Sequence, residues 1–183
     1  PVGDAILGTT PTTPPHNRLR VLFVDDERSL QEFMRTELPR LGHDVTVCPN
    51  GGTALQAIAQ QAFDVAILDI RMPDMTGIDV LKRLKQVSPD TDAVMMTGYA
   101  SQETAVEAMR LGACDYLNKP CTLSAIEAVL LRAADKKRLK NKAAALESRV
   151  QQAEGPGGMI GNSPAMQPVQ RLIDQIAPTD ARV

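Results

Sequence analysis

From residue 19 onward, short apolar runs alternate with stretches whose apolar residues recur at helical spacing. The apolar runs predict five strands: Leu19–Val24, Asp44–Cys48, Phe63–Asp69, Asp92–Thr97 and Cys114–Leu117. Helical spacing predicts a helix after each strand. The apolar side of the first helix is formed by Leu30, Phe33, Met34, Leu38 and Leu41, and Pro39 and Gly42 close this helix. The other predicted helices cover Thr53–Gln61, Gly77–Val87, Ser101–Leu111 and Thr122 onward. Strands that alternate with helices imply parallel pairing, because a parallel crossover needs a helix and is right-handed.

The third strand is nearly all apolar and rich in branched side chains, which is typical of a strand buried on both faces of a parallel sheet. Five strand–helix repeats of this size predict an α/β fold, a flavodoxin-like doubly wound sheet of order 2-1-3-4-5 with helices on both faces. In such sheets, ligands bind beyond the carboxyl ends of the strands.

Polar side chains stand at four of those strand ends. Asp25 and Asp26 follow the first strand, Asp69 ends the third, Thr97 ends the fourth and Lys119 follows the fifth. Three crowded carboxylates repel one another unless a divalent cation is bound, and oxygen ligands favour a hard ion such as Mg²⁺. A carboxylate can attack phosphorus to give an aspartyl phosphate, which a metal, a lysine and a hydroxyl would stabilise.

Each of these residues also has an ordinary structural explanation, such as a helix cap, a strand-end hydroxyl or a surface lysine. A phosphatase of the haloacid-dehalogenase type needs a second acid two residues after its nucleophile, and position 71 is Arg. A flavodoxin-like cofactor binder needs a phosphate-cradling loop after the first strand, where the acids 25–27 would repel phosphate. The combination at four strand ends favours phosphoryl transfer to Asp69.

Composition and net charge limit the class of protein but do not identify a binding partner. The chain has 183 residues, 43% of them hydrophobic, and a net charge of −2. Three widely spaced cysteines form no metal motif and argue against a secreted disulfide framework. With no signal peptide and no membrane-length apolar run, we expect a cytoplasmic protein that does not engage a membrane. Residues 1–18, rich in Pro and Thr, read as a flexible leader in which His16 is a solvated loop residue.

Four motifs in order resemble the receiver domain of two-component response regulators: residues 22–27 (LFVDDE), 67–77 (ILDIRMPDMTG), 96–99 (MTGY) and 116–120 (YLNKP). The resemblance covers residues 19–132. It implies that Asp69 accepts phosphate from a sensor histidine kinase, and that Asp25, Asp26, Asp69 and the main-chain carbonyl of Arg71 hold Mg²⁺ as cofactor. Such a domain catalyses only its own phosphorylation and dephosphorylation, so no other enzyme activity is expected.

The same resemblance assigns the remaining site residues. Thr97 and Lys119 contact the phosphoryl group, and the Lys119–Pro120 peptide bond is expected to be cis. Tyr116, three residues before the lysine, matches the switch aromatic whose rotamer follows the inward movement of Thr97. A tyrosine on a strand is more often a plain core residue, so its role rests on the family.

The last predicted helix is longer than a receiver needs, since no Pro or Gly interrupts the chain between Leu123 and Gly155. We expect residues 133–154 to be a helical linker that forms a parallel homodimer. Its apolar seam is Leu139, Ala143, Leu146 and Val150, while Arg132 and Lys136 interrupt the seam's first half. The basic residues between 132 and 149 could bind nucleic acid, but a solvated helix face is the preferred reading.

Residues 155–183 resemble the opening of the AAA+ ATPase domain of NtrC-type, sigma-54-dependent activators, and the sequence ends before a phosphate-binding loop. This resemblance implies a truncated ATPase domain here and, in the full-length protein, sigma-54 RNA polymerase, ATP and DNA as partners. The alternative is a receiver that controls a non-transcriptional output module, either an enzyme or a protein-binding domain.

Overall fold

The structure, a computed structural model, describes residues 18–98 and 102–154. Five strands alternate with five helices, as predicted. The strands are β1 (Arg20–Val24), β2 (Asp44–Cys48), β3 (Val65–Asp69), β4 (Asp92–Thr97) and β5 (Ala113–Asn118); the helices are α1 (Arg28–Arg40), α2 (Gly51–Gln60), α3 (Gly77–Val87), α4 (Gln102–Arg110) and α5 (Leu123–Glu154). Residues 1–17 of the predicted leader, the opening of the ATPase domain, and the residues Tyr99 and Ser101 lie outside the described residues.

All strand pairs are parallel, in the order β2-β1-β3-β4-β5. This confirms the predicted doubly wound fold. The register places Val24 beside Leu68 in β3 and Asp69 beside Met96 in β4. The residues at or just after the ends of these strands are therefore brought to one edge of the sheet, which we call the carboxyl edge.

Alternate residues of each central strand enter two separate cores, as the pleat requires. In β3, Ala66 and Leu68 pack with α2 and α3 on one face, whereas Val65 and Ile67 pack with α1 and α5 on the other. β3 is completely buried because helices cover both faces of the sheet.

The apolar side of α1 differs from the prediction. The residues buried in this helix are Gln31, Met34 and Leu38, whereas Phe33 is 44% exposed. Phe33 was expected on the apolar side of the helix but lies on its exposed side, whereas Gln31 takes a buried position at helical spacing from Met34 and Leu38.

Several helix boundaries differ from the prediction by one or two residues, and α1 and α2 show the physical reason. α1 includes Pro39 in its last turn and ends before Gly42, whose φ of 87° suits a residue without a side chain. α2 begins at Gly51 rather than Thr53, because Asn50 already caps the helix by accepting the backbone N–H of Thr53 at 2.9 Å.

The chain divides into two compact units after Lys140, and α5 contributes to both. Within the first unit, Ala133 and Ala134 are still buried against the sheet, and ion pairs of α5 with the domain continue as far as Lys140. None of the helices in the described ranges combines the length and apolar content that a membrane crossing needs.

Candidate functional site at the carboxyl edge of the sheet

Three carboxylates converge at the carboxyl edge. Asp69 is the last residue of β3, and Asp25 and Asp26 follow β1, its neighbour in the sheet. One oxygen from each of the three lies within 4.8 Å of the others. Asp25 and Asp69 are buried, whereas Asp26 is exposed, so one side of the cluster opens to solvent.

Lys119 is the cation at this edge. It follows β5, and its backbone N–H donates to the carbonyl of Thr97 at 2.7 Å. Its Nζ donates to Asp69 Oδ2 at 2.8 Å and lies 2.5 Å from Asp25 Oδ2. Burial alone would lower the pKa of Lys119, but its bonds to Asp25 and Asp69 outweigh burial and raise the pKa. The lysine is therefore held charged, and the expected cis bond to Pro120 is present.

Asp25 is the most strongly buried acid of the cluster. Its Oδ1 accepts the backbone N–H of Glu27 at 3.0 Å, whereas its buried Oδ2 has no hydrogen-bond partner among the described residues beyond the ion pair with Lys119. Burial raises the pKa of Asp25, although Lys119 opposes that rise. Among the ion pairs described, Lys119 is the cation beside Asp25 and Asp69, so carboxylates outnumber paired cations in this partly buried cluster.

This arrangement fits a hard divalent cation. The available side-chain ligands are all oxygens, and among the described contacts of the three carboxylates Lys119 is the cation, paired with Asp25 and Asp69. Cations such as Mg²⁺ bind such oxygens and usually keep several waters, which the exposed side at Asp26 would admit.

Thr97 lies on β4, which is beside β3, and Tyr116 lies on β5, the next strand in the sheet. Thr97 ends β4, one position beyond the partner of Asp69, and is almost completely buried. Tyr116 pairs with Met95 and packs against the core on the α2–α4 side. The tyrosine hydroxyl is buried and has no hydrogen-bond partner among the described residues. The residue is therefore half-buried, with its hydroxyl turned inward against the core.

The loop after β3 places Arg71 next to Asp69. The backbone N–H of Arg71 donates to Asp69 Oδ1 at 3.4 Å, and its side chain is exposed. The assignment of its main-chain carbonyl to a metal remains a prediction.

The sequence reasoning missed the residues that hold the acidic segments in place. Gln31 donates to the main-chain carbonyl of Asp25 at 2.8 Å from a buried position on α1. A Cβ at Gly77 would lie 2.0 Å from the carbonyl oxygen of Asp69, so only glycine permits this close approach. The signals were present as a glutamine at core spacing in α1 and as a glycine eight residues after the aspartate.

The residues of the predicted dimer seam are exposed. Leu139, Leu146 and Val150 expose 62%, 53% and 54% of their surface, and Ala143 is exposed as well. The residues that interrupt the seam contact the domain itself: Arg132 pairs with Asp115, and Lys136 pairs with Asp92. The first half of the heptad pattern therefore serves the domain, and the exposed stripe starts at Leu139.

Comparison with known proteins gives one family. The family model of the response regulator receiver domain matches residues 21–131. The transcriptional regulatory protein ZraR of Escherichia coli (strain K12) is 36% identical over 174 residues, which cover 92% of this chain and 37% of that protein.

Two solved structures have the same fold. NtrX from Brucella abortus is 30% identical with a TM-score of 0.64, over 90% of this chain and 36% of that chain. A CheY-like receiver domain protein from Methanospirillum hungatei JF-1 is 29% identical with a TM-score of 0.64, over 66% of this chain and 97% of that chain. The chain spans little more than a third of the length of the curated relatives it matches.

Proposed function

The chain belongs to the family of response regulator receiver domains, and on that premise we propose that Asp69 accepts a phosphoryl group from a sensor histidine kinase. The observation that carries the proposal is the cluster of Asp25, Asp26 and Asp69 within 4.8 Å, with Lys119 bonded to Asp69. A purely structural cluster would be neutralised by its neighbours, whereas this one keeps an excess of negative charge that suits a metal-assisted reaction.

The transfer forms one bond and breaks another at phosphorus. An oxygen of Asp69 attacks the phosphorus, and the bond from phosphorus to the imidazole nitrogen of the donor histidine breaks. The nitrogen leaves with the electron pair and takes up a proton. In this proposal Lys119 balances the charge on the transferred oxygens, and its Nζ is already placed there, 2.8 Å from Asp69 Oδ2.

We propose Mg²⁺ as the cofactor, held by Asp25, Asp26, Asp69 and the main-chain carbonyl of Arg71. A bound divalent cation supplies neutralisation of the charge that accumulates on the phosphoryl oxygens. The residues of the chain do the rest: Glu27 and Gln31 hold Asp25 through its side chain and its carbonyl, and Lys119 keeps Asp69 oriented.

Thr97 and Tyr116 are proposed as the switch that carries the phosphorylation signal. Thr97 ends the strand beside β3, and Tyr116 lies on the next strand with a buried hydroxyl that has no hydrogen-bond partner among residues 18–98 and 102–154. A hydroxyl drawn toward a phosphoryl oxygen would change the space available to the tyrosine ring. In Thr97→Ala, phosphorylation should persist while the amide shifts that beryllofluoride induces in α4 shrink; unchanged shifts would remove Thr97 from the switch.

The output of the full-length protein is proposed to be transcription activation by a sigma-54-dependent ATPase, with ATP, DNA and RNA polymerase as partners. The support is the likeness of residues 155–183 to the start of such ATPase domains and the match to the transcriptional regulator ZraR over 92% of the chain. The exposed stripe from Leu139 to Val150 supports association of two copies through α5. Phosphorylation would then shift an existing equilibrium between dimer arrangements.

The assignment of Asp69 is tested by replacing it with asparagine, which keeps the shape and removes the nucleophile. With acetyl phosphate and MgCl₂, wild type should gain one phosphoryl group by mass spectrometry, and Asp69→Asn should gain none. The control is Asp92→Asn, which removes an aspartate at the opposite edge of the sheet and should leave incorporation intact. Equal incorporation in Asp69→Asn, or incorporation in wild type without any divalent ion, would contradict the assignment.

A further inference from the structure

Asp74 joins two loops at the carboxyl edge that the sequence does not connect. It lies in the loop between β3 and α3, five residues after Asp69. Its Oδ1 accepts the backbone N–H of Gly51 at 3.1 Å, and its Oδ2 accepts that of Gly52 at 2.8 Å. Both carboxylate oxygens are therefore used on the first two residues of α2.

The start of α2 is shaped for this contact. A Cβ at Gly51 would lie 2.2 Å from Cγ of Met75, the neighbour of Asp74, so the side chain of Met75 occupies the space that any other residue would need. The N–H groups of the first helical turn have no partner within the helix and favour a negative group. The hydrogen bond from Gly52 keeps the pKa of Asp74 below its usual range. The contact thus holds a charged carboxylate although Asp74 is exposed.

The loop is fixed at its other end by backbone packing. Gly77 donates its N–H to the carbonyl of Ile70 at 3.0 Å and approaches the carbonyl of Asp69 too closely for a side chain. Residues 71–76 therefore form a short closed loop. Asp74 attaches the middle of that loop to α2, so it limits how far the loop can move away from the sheet.

The same loop carries Arg71, whose N–H reaches Asp69 Oδ1 at only 3.4 Å. A long bond of this kind is sensitive to small movements of the loop, because hydrogen bonds weaken steeply beyond normal distance. If residues 71–76 relaxed outward, the backbone of Arg71 would leave its place beside Asp69.

We propose that Asp74 is a positioning residue for the phosphoryl-transfer site: it holds the loop after β3 against the start of α2 and so fixes the backbone of Arg71 beside Asp69. This inference rests on the proposed function, because it assigns to the Arg71 backbone a part in binding Mg²⁺. Groups that orient metal ligands commonly change metal affinity by about tenfold or more when they are removed.

The test compares two variants of the full chain that remove a cap from the same helical turn. Asp74→Ala removes the link between loop and helix, whereas Asn50→Ala removes the helix's own cap and does not touch the loop. Both should lower the thermal midpoint in the absence of Mg²⁺. Only Asp74→Ala should raise the Mg²⁺ dissociation constant, by about tenfold in calorimetric titration with MgCl₂. Asp74→Asn, which keeps one acceptor oxygen, should lie between wild type and Asp74→Ala.

A second measurement locates the effect without any reaction. In Mg²⁺-free protein, the amide resonances of Arg71 and Gly52 should both shift in Asp74→Ala, whereas Asn50→Ala should shift only the start of α2. If Mg²⁺ binds Asp74→Ala and Asn50→Ala equally well, Asp74 is only a helix cap and the inference is overturned while the proposed function stands. If wild type binds no Mg²⁺, the proposed function fails and the inference fails with it.

Discussion

The two edges of the sheet carry charge in opposite ways. At the carboxyl edge, three carboxylates lie close together and two of them, Asp25 and Asp69, pair with Lys119. At the amino edge, four aspartates near the beginnings of β3, β4 and β5 each have a cation from α5: Asp115 pairs with Arg132, Asp92 with Lys136, Asp64 with Lys137 and Asp90 with Lys140.

This difference in charge balance distinguishes a functional site from a contact that only attaches a helix to the domain. At the amino edge each of the four aspartates already has a cation, so these pairs offer no unbalanced charge to a ligand. They lie along α5 and hold this helix on the domain. The unmatched carboxylates cost stability, because buried charge without a full complement of partners is expensive. Such a cost is sustained where function needs it, so imbalance of charge, and not the number of charges, indicates the site.

The sharpest test replaces one aspartate at each edge by asparagine. Since burial raises the pKa of Asp25, the folded protein binds this proton more tightly than the unfolded chain does, and ionisation costs stability above that pKa. At pH 7, Asp25→Asn should increase the free energy of unfolding, because it removes this ionisation cost while Lys119 keeps Asp69 as a partner. Asp92→Asn should lower it by about 0.5 kcal/mol, because it breaks an ion pair whose lysine is 66% exposed and therefore screened by solvent. Chemical denaturation of both variants without Mg²⁺ gives the comparison.

Two further conditions sharpen this result. The advantage of Asp25→Asn should shrink as the pH falls toward the raised pKa of Asp25, because wild type then takes up the proton and loses the penalty. Saturating Mg²⁺ should stabilise wild type and Asp92→Asn but not Asp25→Asn. A loss of stability in Asp25→Asn at pH 7 would mean that its pair with Lys119 outweighs its burial, and the contrast between the edges would fail.

The second test asks whether the amino edge only holds the helix or also joins two copies. A chain that ends at Lys140 keeps all four ion pairs but loses Ala143, Leu146 and Val150. Analytical ultracentrifugation should show a concentration-dependent dimer for residues 1–183 and a monomer of unchanged domain stability for residues 1–140. The expected dimer is of modest strength, because the exposed seam is short and partly alanine. A dimer of equal strength in both chains would place the association outside the seam.

The sequence predicted the residues that strands place at the carboxyl edge, but it did not predict contacts between loops. The period of the apolar residues predicted every strand, because burial on one or both faces leaves a period in the sequence. The order of the sheet was predicted from the five strand–helix repeats, whose size suits a flavodoxin-like doubly wound fold. That order predicted the convergence of Asp25, Asp69 and Lys119, because parallel strands bring their carboxyl ends to one edge. Sheet geometry brings these residues together, and the positions of the strands in the sequence are enough to predict that geometry.

Contacts between loops could not be predicted in this way. The bonds from Gly51 and Gly52 to Asp74 join residues more than 20 positions apart, and neither loop has a period that points to the other. The same holds for the ion pair between Lys136 and Asp92. In the sequence, Lys136 looked like an interruption of a heptad seam, because its partner is visible only once α5 is packed on the sheet.

The smallest expected effect distinguishes pairs within the amino edge. Asp64 exposes 15% of its side chain and also accepts the backbone N–H of Arg20 at 2.8 Å, so it is held in place before Lys137 reaches it. Asp90 exposes 85% of its side chain and must be ordered by Lys140 alone among the ion pairs described. A fixed partner reduces the entropy lost on pairing, so the Asp64–Lys137 pair should show a coupling energy of about 0.5 kcal/mol in a double-mutant cycle with Asp64→Asn and Lys137→Gln. The Asp90–Lys140 cycle should give no measurable coupling, and 1 M NaCl should reduce the first coupling toward the second. Equal couplings at low salt would show that the preorganisation of Asp64 by Arg20 contributes nothing to the coupling energy of the Asp64–Lys137 pair.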